Sequence, residues 1–357
     1  MRVVDLRSDT VTKPSAAMRE VMYRAEVGDD VYSEDPTIHR LEEKAAEILG
    51  YEAGLYVTSG TQGNLVALLT HCGRGDEVIL EEEAHIFFYE VAGMAAVGGL
   101  QARTVKGPAG AKGALNPIEV EKAIRPVNVH FPTTGLVCLE NTHNRGGGGA
   151  STPEQLGAIV DVAHRHGVPV HLDGARVFNA AVAQNVAAKR LVQGIDSVQM
   201  CLSKGLGAPV GSVLVGKRDW IERARRWRKM VGGGMRQAGI IAAAGVYALE
   251  HNVDRLAEDH AKAKRLSEAL GNITGFQPIK PDIPTNIVSV DVTGAGWTAN
   301  QFSGAMLERG ILANANSEKT VRFVTHLDVN GDDIEYAIKV ISEVAAQGPV
   351  VRTGTVY

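Results

Sequence analysis

The chain has 357 residues, 45% of them hydrophobic and 22% charged, and a net charge of −4. That length suffices for a large core and two domains, and the balance is that of a globular protein in water. It leaves no basic field to draw in nucleic acid or an anionic membrane. Three cysteines, Cys72, Cys138 and Cys201, have no metal-like spacing. The latter two sit inside apolar runs, as small core residues in a reducing compartment do. No metal site is expected. The first eight residues lack the apolar segment of a secretory leader, and no apolar run reaches about 18 residues. Cytoplasm is the expected compartment.

In chain order, Asp5 to Thr12 is polar and rich in hydroxyls. It is either a disordered start or an arm laid across a site, with Ser8 offering a hydroxyl. Pro14 to Arg24 reads as a helix with proline in its first turn. A loop from Gly28 to Pro36 carries Tyr32. Thr37 to Leu49 follows as an amphipathic helix, with Ile38, Leu41, Ala45 and Ile48 on one face. Gly54 to Val57 is a strand. The small residues Thr58 to Gly63 then open a helix, and amides at a helix start suit an anion, with the Thr61 hydroxyl beside them. Ser and Thr also cap helices that bind nothing. Asp76 to Leu80 is a strand that leads to His85, either a helix cap or a ring for stacking or proton transfer. A second buried strand, Leu136 to Glu140, ends in Asn141-Thr142-His143-Asn144. Pro153 to His166 is a helix with Thr152 as its N-cap.

Two short apolar runs come next, and each ends in a polar residue. Val168 to Leu172 ends in Asp173; Ser197 to Leu202 leads to Lys204. The 31 residues between Asp173 and Lys204 hold one helix and two turns. In an open α/β sheet, ligands bind beyond the carboxyl ends of the strands. An acid and a lysine placed there suit pyridoxal phosphate, whose aldehyde takes a lysine amine and whose pyridine nitrogen pairs with a carboxylate. Strand-end acids also cap turns, and most lysines are solvated. Here Gly-Leu-Gly-Ala-Pro-Val-Gly follows the lysine, with no polar face around it.

Val210 to Val215 is a further strand, and Arg218 to Lys229 a strongly basic helix with a solvated face. Lys229 and Arg236 flank Gly232 to Gly234 and are placed to neutralise a phosphate. A long apolar helix runs to Leu249. Beyond Asn252 the rhythm changes: helix Arg255 to Leu270, alternating strand Asn286 to Val292, helix Thr298 to Arg309, strand Thr320 to Val324 and helix Asp332 to Ala345. Arg322 lies inside that last strand and needs a partner, either an acid of the chain or a substrate carboxylate. The spacing predicts an α/β fold: a large unit over 1–252, with an arm over 1–13 and a mostly parallel sheet between helices. A smaller α+β unit covers 253–345, and a tail 346–357.

Assembled, these stretches resemble the low-specificity L-threonine aldolases, pyridoxal-phosphate enzymes of the aspartate-aminotransferase fold. The likeness rests on Asp5-Leu6-Arg7-Ser8-Asp9-Thr10, Gly28-Asp29-Asp30-Val31-Tyr32, Ser59-Gly60-Thr61, Ala84-His85-Ile86, Glu140-Asn141-Thr142-His143-Asn144, His171-Leu172-Asp173-Gly174-Ala175-Arg176, Ser203-Lys204-Gly205-Leu206-Gly207 and Val321-Arg322-Phe323. It implies that Lys204 carries the cofactor, Asp173 pairs with its pyridine nitrogen and His85 stacks on its ring. Gly60 and Thr61 would take the phosphate, with Lys229 reaching it from another subunit. Ser8, Arg176 and Arg322 would hold the substrate carboxylate, with His85 and His130 near the β-hydroxyl and Tyr32 lent by a partner. The implied reaction is the reversible cleavage of L-threonine, L-allo-threonine and related L-β-hydroxy-α-amino acids to glycine and an aldehyde, by a homodimer or homotetramer. The alternative is another pyridoxal-phosphate lyase or an aminotransferase of the same fold. Phe87 and Phe88 stand where this family often has Tyr-Arg, Gln62-Gly63 where Met-Ser is common, and Arg145 to Ser151 is unusually rich in glycine. These departures bear on side-chain preference.

Overall fold

The computed structural model describes residues 2–107, 114–279, 281–282 and 284–349. A short strand, β1 (Val4–Asp5), precedes a seven-stranded sheet made of β2 (Ala53–Val57), β3 (Glu77–Glu81), β4 (Gln101–Val105), β5 (Thr134–Glu140), β6 (Val170–Asp173), β7 (Ser197–Cys201) and β8 (Ser212–Gly216). Their order is β2-β8-β7-β6-β5-β3-β4. Strands β3 to β7 run parallel, and β8 is antiparallel to both of its neighbours. The central strands read as near-continuous apolar runs because helices cover both faces, and all residues of β6, β7 and β8 are buried.

The chain leaves β3 outward to β4, then crosses back to β5 on the other side. Connections at that reversal part, and a crevice opens at the carboxyl ends of β3 and β5. His85 follows β3, Glu140 ends β5, Asp173 ends β6 and Lys204 lies three residues past β7. The sheet therefore collects at one rim the residues that the strand endings single out.

Helix ends follow local chemistry. The helix Pro36–Leu49 starts where the Asp35 carboxylate accepts from the Thr37 and Ile38 amides, and stops at Gly50 with φ 76°. Ile38, Leu41, Ala45 and Leu49 are its buried face, with Ile48 at the margin. Thr152 forms a reciprocal capping box with Gln155 on the helix Pro153–Arg165. Two helices, Val177–Gln184 and Ala188–Leu191, fill the stretch between Asp173 and Lys204 where one was expected. The helix opening at His85 is a single turn, His85–Phe88.

A second sheet gathers the carboxyl-terminal strands: β9 (Gln277–Ile279), β10 (Ile287–Asp291), β12 (Asn314–Ala315) and β13 (Thr320–Val324), all antiparallel, in the order β12-β13-β10-β9. The short β11 (Ile311–Leu312) pairs in parallel with β1. Val4 and Leu6 are buried in the second core with Phe302 and Phe323, not in the core under the large sheet. The arm is stitched there by hydrogen bonds from the Val4 amide to the Gly310 carbonyl and from the Val324 amide to the Leu6 carbonyl. The last helix is Gly331–Gln347, and residues 350–357 of the expected tail lie outside the described residues.

Candidate active site

Asp173 is buried at the tip of β6. Its Oδ1 accepts from the Ala175 amide at 3.1 Å and its Oδ2 from Asn64 Nδ2 at 2.9 Å. No cation of the described residues is paired with it. Beside it, His85 Nδ1 lies 2.9 Å from Glu90 Oε1, and ligand atoms of His85, Glu90 and Asp173 all fall within 4.8 Å of one another. Burial opposes a charge on His85, but the Glu90 hydrogen bond and the Asp173 and Glu90 charges outweigh it and raise its pKa. Burial raises the Glu90 pKa as well. Glu90 thus holds Nδ1, and Nε2 is left as the ring's free nitrogen. The His85 backbone is pinned too: its amide donates to Glu140 Oε2 at 2.7 Å.

Glu140 reaches the other wall of the crevice through its second oxygen, which accepts the Asn144 amide at 2.8 Å. Asn144 Oδ1 in turn accepts from Arg322 Nη1 at 2.7 Å. Arg322 is mostly buried in β13, and among the described residues the only other hydrogen bond of its side chain is from Nη2 to the Arg7 carbonyl at 3.3 Å. Its Nε is buried with no partner. Burial and the nearby Arg176 charge lower its pKa. A guanidinium held by two neutral oxygens, with no acid of the described residues paired to it, has the chemistry to accept a carboxylate.

Arg176 already has an acid of the chain as a partner. It is buried, and its Nε and Nη2 each lie 2.7 Å from an Asp9 carboxylate oxygen. Nη1 makes no hydrogen bond among the described residues, so both of its hydrogens are left for a ligand. Asp9 is fully buried; burial works against its charge, yet Arg176, Lys204 and the Asn286 amide together push its pKa far down. Ser8 caps the short turn Asp9–Val11, and its hydroxyl accepts from the Thr10 amide and hydroxyl. The arm therefore lies across the crevice and is not a disordered start. Lys204 is half-buried, its carbonyl takes the Thr12 hydroxyl at 3.2 Å, and its side chain makes no hydrogen bond or ion pair among the described residues. Both Asp9 and His85 feel its charge.

At the start of the helix Gly60–His71, the Ser59 hydroxyl accepts the Gln62 amide, and the Gly60 and Thr61 amides have no acceptor among the described residues. A Cβ at Gly60 would come within 2.8 Å of Cys201 Sγ, so the backbone needs glycine to sit this close to β7. Lys229 is exposed at the end of the helix Arg218–Met230, against Gly234, while Gly233 packs on Gln62. The glycine run thus sits between Lys229 and Gln62, two residues past Gly60. Arg228, one residue earlier, is no part of a solvated face: it is buried, 2.7 Å from Asp30.

Two expected partners stay apart from this cluster. His130 is exposed in the turn before β5. That turn adjoins the amino ends of the parallel strands, the rim opposite Lys204, so one chain does not bring His130 to its own His85. Tyr32 is 74% exposed on the loop fixed by Asp30, and Phe87 and Phe88 are also exposed.

The free helix amides, the unpaired Asp173, the uncommitted Lys204 and the orphaned Arg322 fit a phosphate, a pyridine nitrogen, an aldehyde and a carboxylate in turn. A family model described as beta-eliminating lyase matches residues 5–293. The low specificity L-threonine aldolase of Escherichia coli (strain K12) is 47% identical over 93% of this chain and 96% of that protein. The chain belongs to the low-specificity L-threonine aldolase family. Low-specificity L-threonine aldolase 1 of Arabidopsis thaliana is 45% identical over 95% of each chain. Leishmania major threonine aldolase shares the fold, with a TM-score of 0.81 over 96% of this chain and 99% of that one at 19% identity. Within the aldolase chain, the site residues that sequence reading passed over are Asp9, Asn64, Glu90 and Glu140. Each is an ordinary polar residue in sequence, and only burial beside a partner far along the chain marks it.

Proposed function

We propose that this chain binds pyridoxal 5'-phosphate and cleaves L-threonine, L-allo-threonine and other L-β-hydroxy-α-amino acids reversibly to glycine and an aldehyde. The observation that carries the reading is Arg322: a mostly buried guanidinium with no acid of the described residues paired to it, in the same crevice as Lys204 and Asp173. An amino acid presents the carboxylate that this group lacks.

The residues divide the work as follows. Lys204 supplies the amine for the cofactor aldehyde, and the Gly60 and Thr61 amides take its phosphate, with Lys229 adding charge. Asp173 holds a proton at the pyridine nitrogen. The cofactor, when bound, supplies an electron sink at the substrate Cα. Arg322 and the free Nη1 of Arg176 hold the substrate carboxylate, with the Ser8 hydroxyl beside them. Turning the carboxylate into a fixed clamp selects which Cα bond is exposed to cleavage and keeps decarboxylation out. His85 would lie against the cofactor ring, and its Nε2 takes the β-hydroxyl proton as the aldehyde leaves, because Glu90 occupies Nδ1 and makes the ring a stronger base. His130 and Tyr32, both exposed, serve the site of another copy of the chain, and the working unit is a homodimer or homotetramer.

We divide the chain into a large unit, 1–252, and a small one, 253–345, with arm residues 4–6 joined to the small unit. No helix is long and apolar enough to cross a membrane. The three cysteines are free, two of them buried. Both fit the cytoplasm.

The test is aldehyde release from L-threonine, L-allo-threonine and their D-isomers with cofactor-loaded protein. Release from the L-isomers alone is expected, and their rate ratio gives the threo or erythro preference. Conversion of the cofactor to its amine form, with no aldehyde, would instead identify an aminotransferase.

A further inference from the structure

Behind the Asp173 carboxylate, a row of buried polar groups runs away from the crevice and has no part in the steps above. Asn64 is buried on the helix Gly60–His71. Its Nδ2 lies 2.8 Å from Glu90 Oε1 and 2.9 Å from Asp173 Oδ2. Its Oδ1 lies 3.1 Å from His171 Nε2. His171 Nδ1 is 2.8 Å from Ser197 Oγ, and that oxygen is 2.8 Å from His71 Nε2. The His71 ring closes the row against Trp220, with ring centroids 4.7 Å apart.

One arrangement of hydrogens satisfies every link. Glu90 Oε1 meets both His85 and Asn64; whichever of Glu90 and His85 holds the proton between them, that oxygen only accepts from Asn64. Asp173 Oδ2 accepts as well. The Asn64 nitrogen therefore faces the two carboxylates and uses both of its hydrogens. Turning the amide over would set its oxygen against both acids. Asn64 Oδ1 must then receive, so His171 carries its hydrogen on Nε2. Burial, helped by the neighbouring His171 and Arg223, pulls the His71 pKa to about 3; burial pulls that of His171 to about 4, against the Asp173 charge. Both rings are neutral at neutral pH. The bare His171 Nδ1 accepts the Ser197 hydroxyl, and Ser197 Oγ accepts from His71 Nε2. Each hydrogen bond in the row has its donor on the side away from the acids, so the aligned dipoles present their positive ends to the two carboxylates.

We propose that Asn64 is a positioning residue for the reaction: it clamps Glu90 and Asp173 at one amide nitrogen, and the His171–Ser197–His71 row behind it fixes which way that amide faces. The clamp keeps two acids ionisable side by side without a buried cation. It leaves Asp173 one free lone pair on each oxygen for the pyridine nitrogen. Without it the two acids face one another with no donor between them, one of them takes a proton, and a protonated Asp173 no longer holds the cofactor's ring proton.

The inference rests on the cofactor reading above. Its test is pyridoxal phosphate titrated into the apoprotein of the wild type, Asn64→Ala, His171→Phe and His171→Gln, followed by absorbance, with the pH titration of the bound chromophore recorded for each. Asn64→Ala is expected to weaken cofactor binding roughly tenfold or more and to move the chromophore's pH titration, since two buried acceptors lose their donor. His171→Phe leaves the amide oxygen without a donor and shifts both readouts the same way. His171→Gln offers that oxygen an amide hydrogen again and restores them in large part, a rescue that packing alone does not explain. Wild-type affinity and an unmoved titration in Asn64→Ala overturn the inference. So does the absence of any difference between His171→Phe and His171→Gln, and that pair decides alone if Asn64→Ala does not fold. A wild type that binds no cofactor overturns the site reading with it; a wild type that binds, with Asn64→Ala unchanged, overturns only the clamp.

Discussion

On one side of the crevice, Asp173, Glu90, Asn64 and His171 are buried, and their hydrogen bonds stay among β6 and the turn after it, β7, the Gly60–His71 helix and the segment after β3. On the other, Ser8, Asp9, Asn144 and Arg322 come from the arm, the turn after β5 and the second sheet, and meet partners across separations as large as the 315 residues between Arg322 and the Arg7 carbonyl. The first side is finished within one core before any ligand arrives. The second holds an unpaired guanidinium and depends on the arm being stitched to the small sheet. A rigid cofactor needs the first kind of wall; a substrate that must enter and leave is served by the second, where partners are borrowed and one is missing. The difference teaches that chemistry and selection sit on opposite walls, and substitutions should separate them.

The largest separation is expected from Lys204→Ala, on the cofactor wall. It should lower kcat by about 1000-fold or more while Arg322 still binds amino acid, measured as steady-state aldehyde release against a ligand-binding titration. Multiple turnover near the wild-type rate would remove Lys204 from its role. Next comes Asp9→Asn, where the walls are tied together. Arg176 would keep its burial and lose its acid, a loss of about 3 kcal/mol in unfolding free energy by urea titration. Equal stability would mean that the arm is not part of the folded scaffold. Smaller again is Arg322→Gln, on the substrate wall. We expect kcat/KM to fall roughly 10- to 100-fold, carried mainly by KM, with cofactor affinity unchanged. A loss of cofactor affinity instead would place Arg322 on the wrong wall.

The two walls were unequally legible in the sequence. Asp173 and Lys204 stand out because apolar strands end just before them, and the helix that starts after Ser59 advertises its amides by its small residues. The parallel sheet follows from the same runs. Asp9 could not be read: an acid in a polar arm looks solvated until Arg176, 167 residues on, is folded against it. His171 hides inside an apolar run, where its neutral ring passes for core. β4 has only one buried residue and shows no alternation, so the edge of the sheet was silent. Arg322 was visible as a charge in a strand, but whether its partner is an acid of the chain or a ligand depends on a tertiary neighbourhood where, among the described residues, its side chain bonds only to Asn144 and a carbonyl. The place of His130 was open for a simple reason: a residue's rim depends on whether it precedes or follows its strand, and His130 precedes β5.

Glu90→Gln should have the smallest effect and the most informative one, because it tunes the cofactor wall without breaking it. In the wild type, burial alone would hold the His85 pKa below its usual 6.5, and the Glu90 bond with the Asp173 and Glu90 charges raises it above. Removing the Glu90 charge leaves burial the larger influence, so the pKa falls. If neutral His85 is the base, the rising limb of the pH–rate profile moves to lower pH in the variant. Its plateau drops several-fold, since a weaker base accepts the proton less readily. Stability should move with the same sign. A histidine whose folded pKa is raised contributes stability that is fully present below its unfolded value near 6.5 and is lost as pH rises through the folded value. The burial-raised Glu90 carboxyl acts in the same direction. The wild type's margin over Glu90→Gln in thermal melts should therefore be widest at mildly acidic pH and narrow above neutrality. A margin independent of pH, together with an unmoved rate profile, would mean that His85 titrates without Glu90, and that the base belongs on the substrate wall.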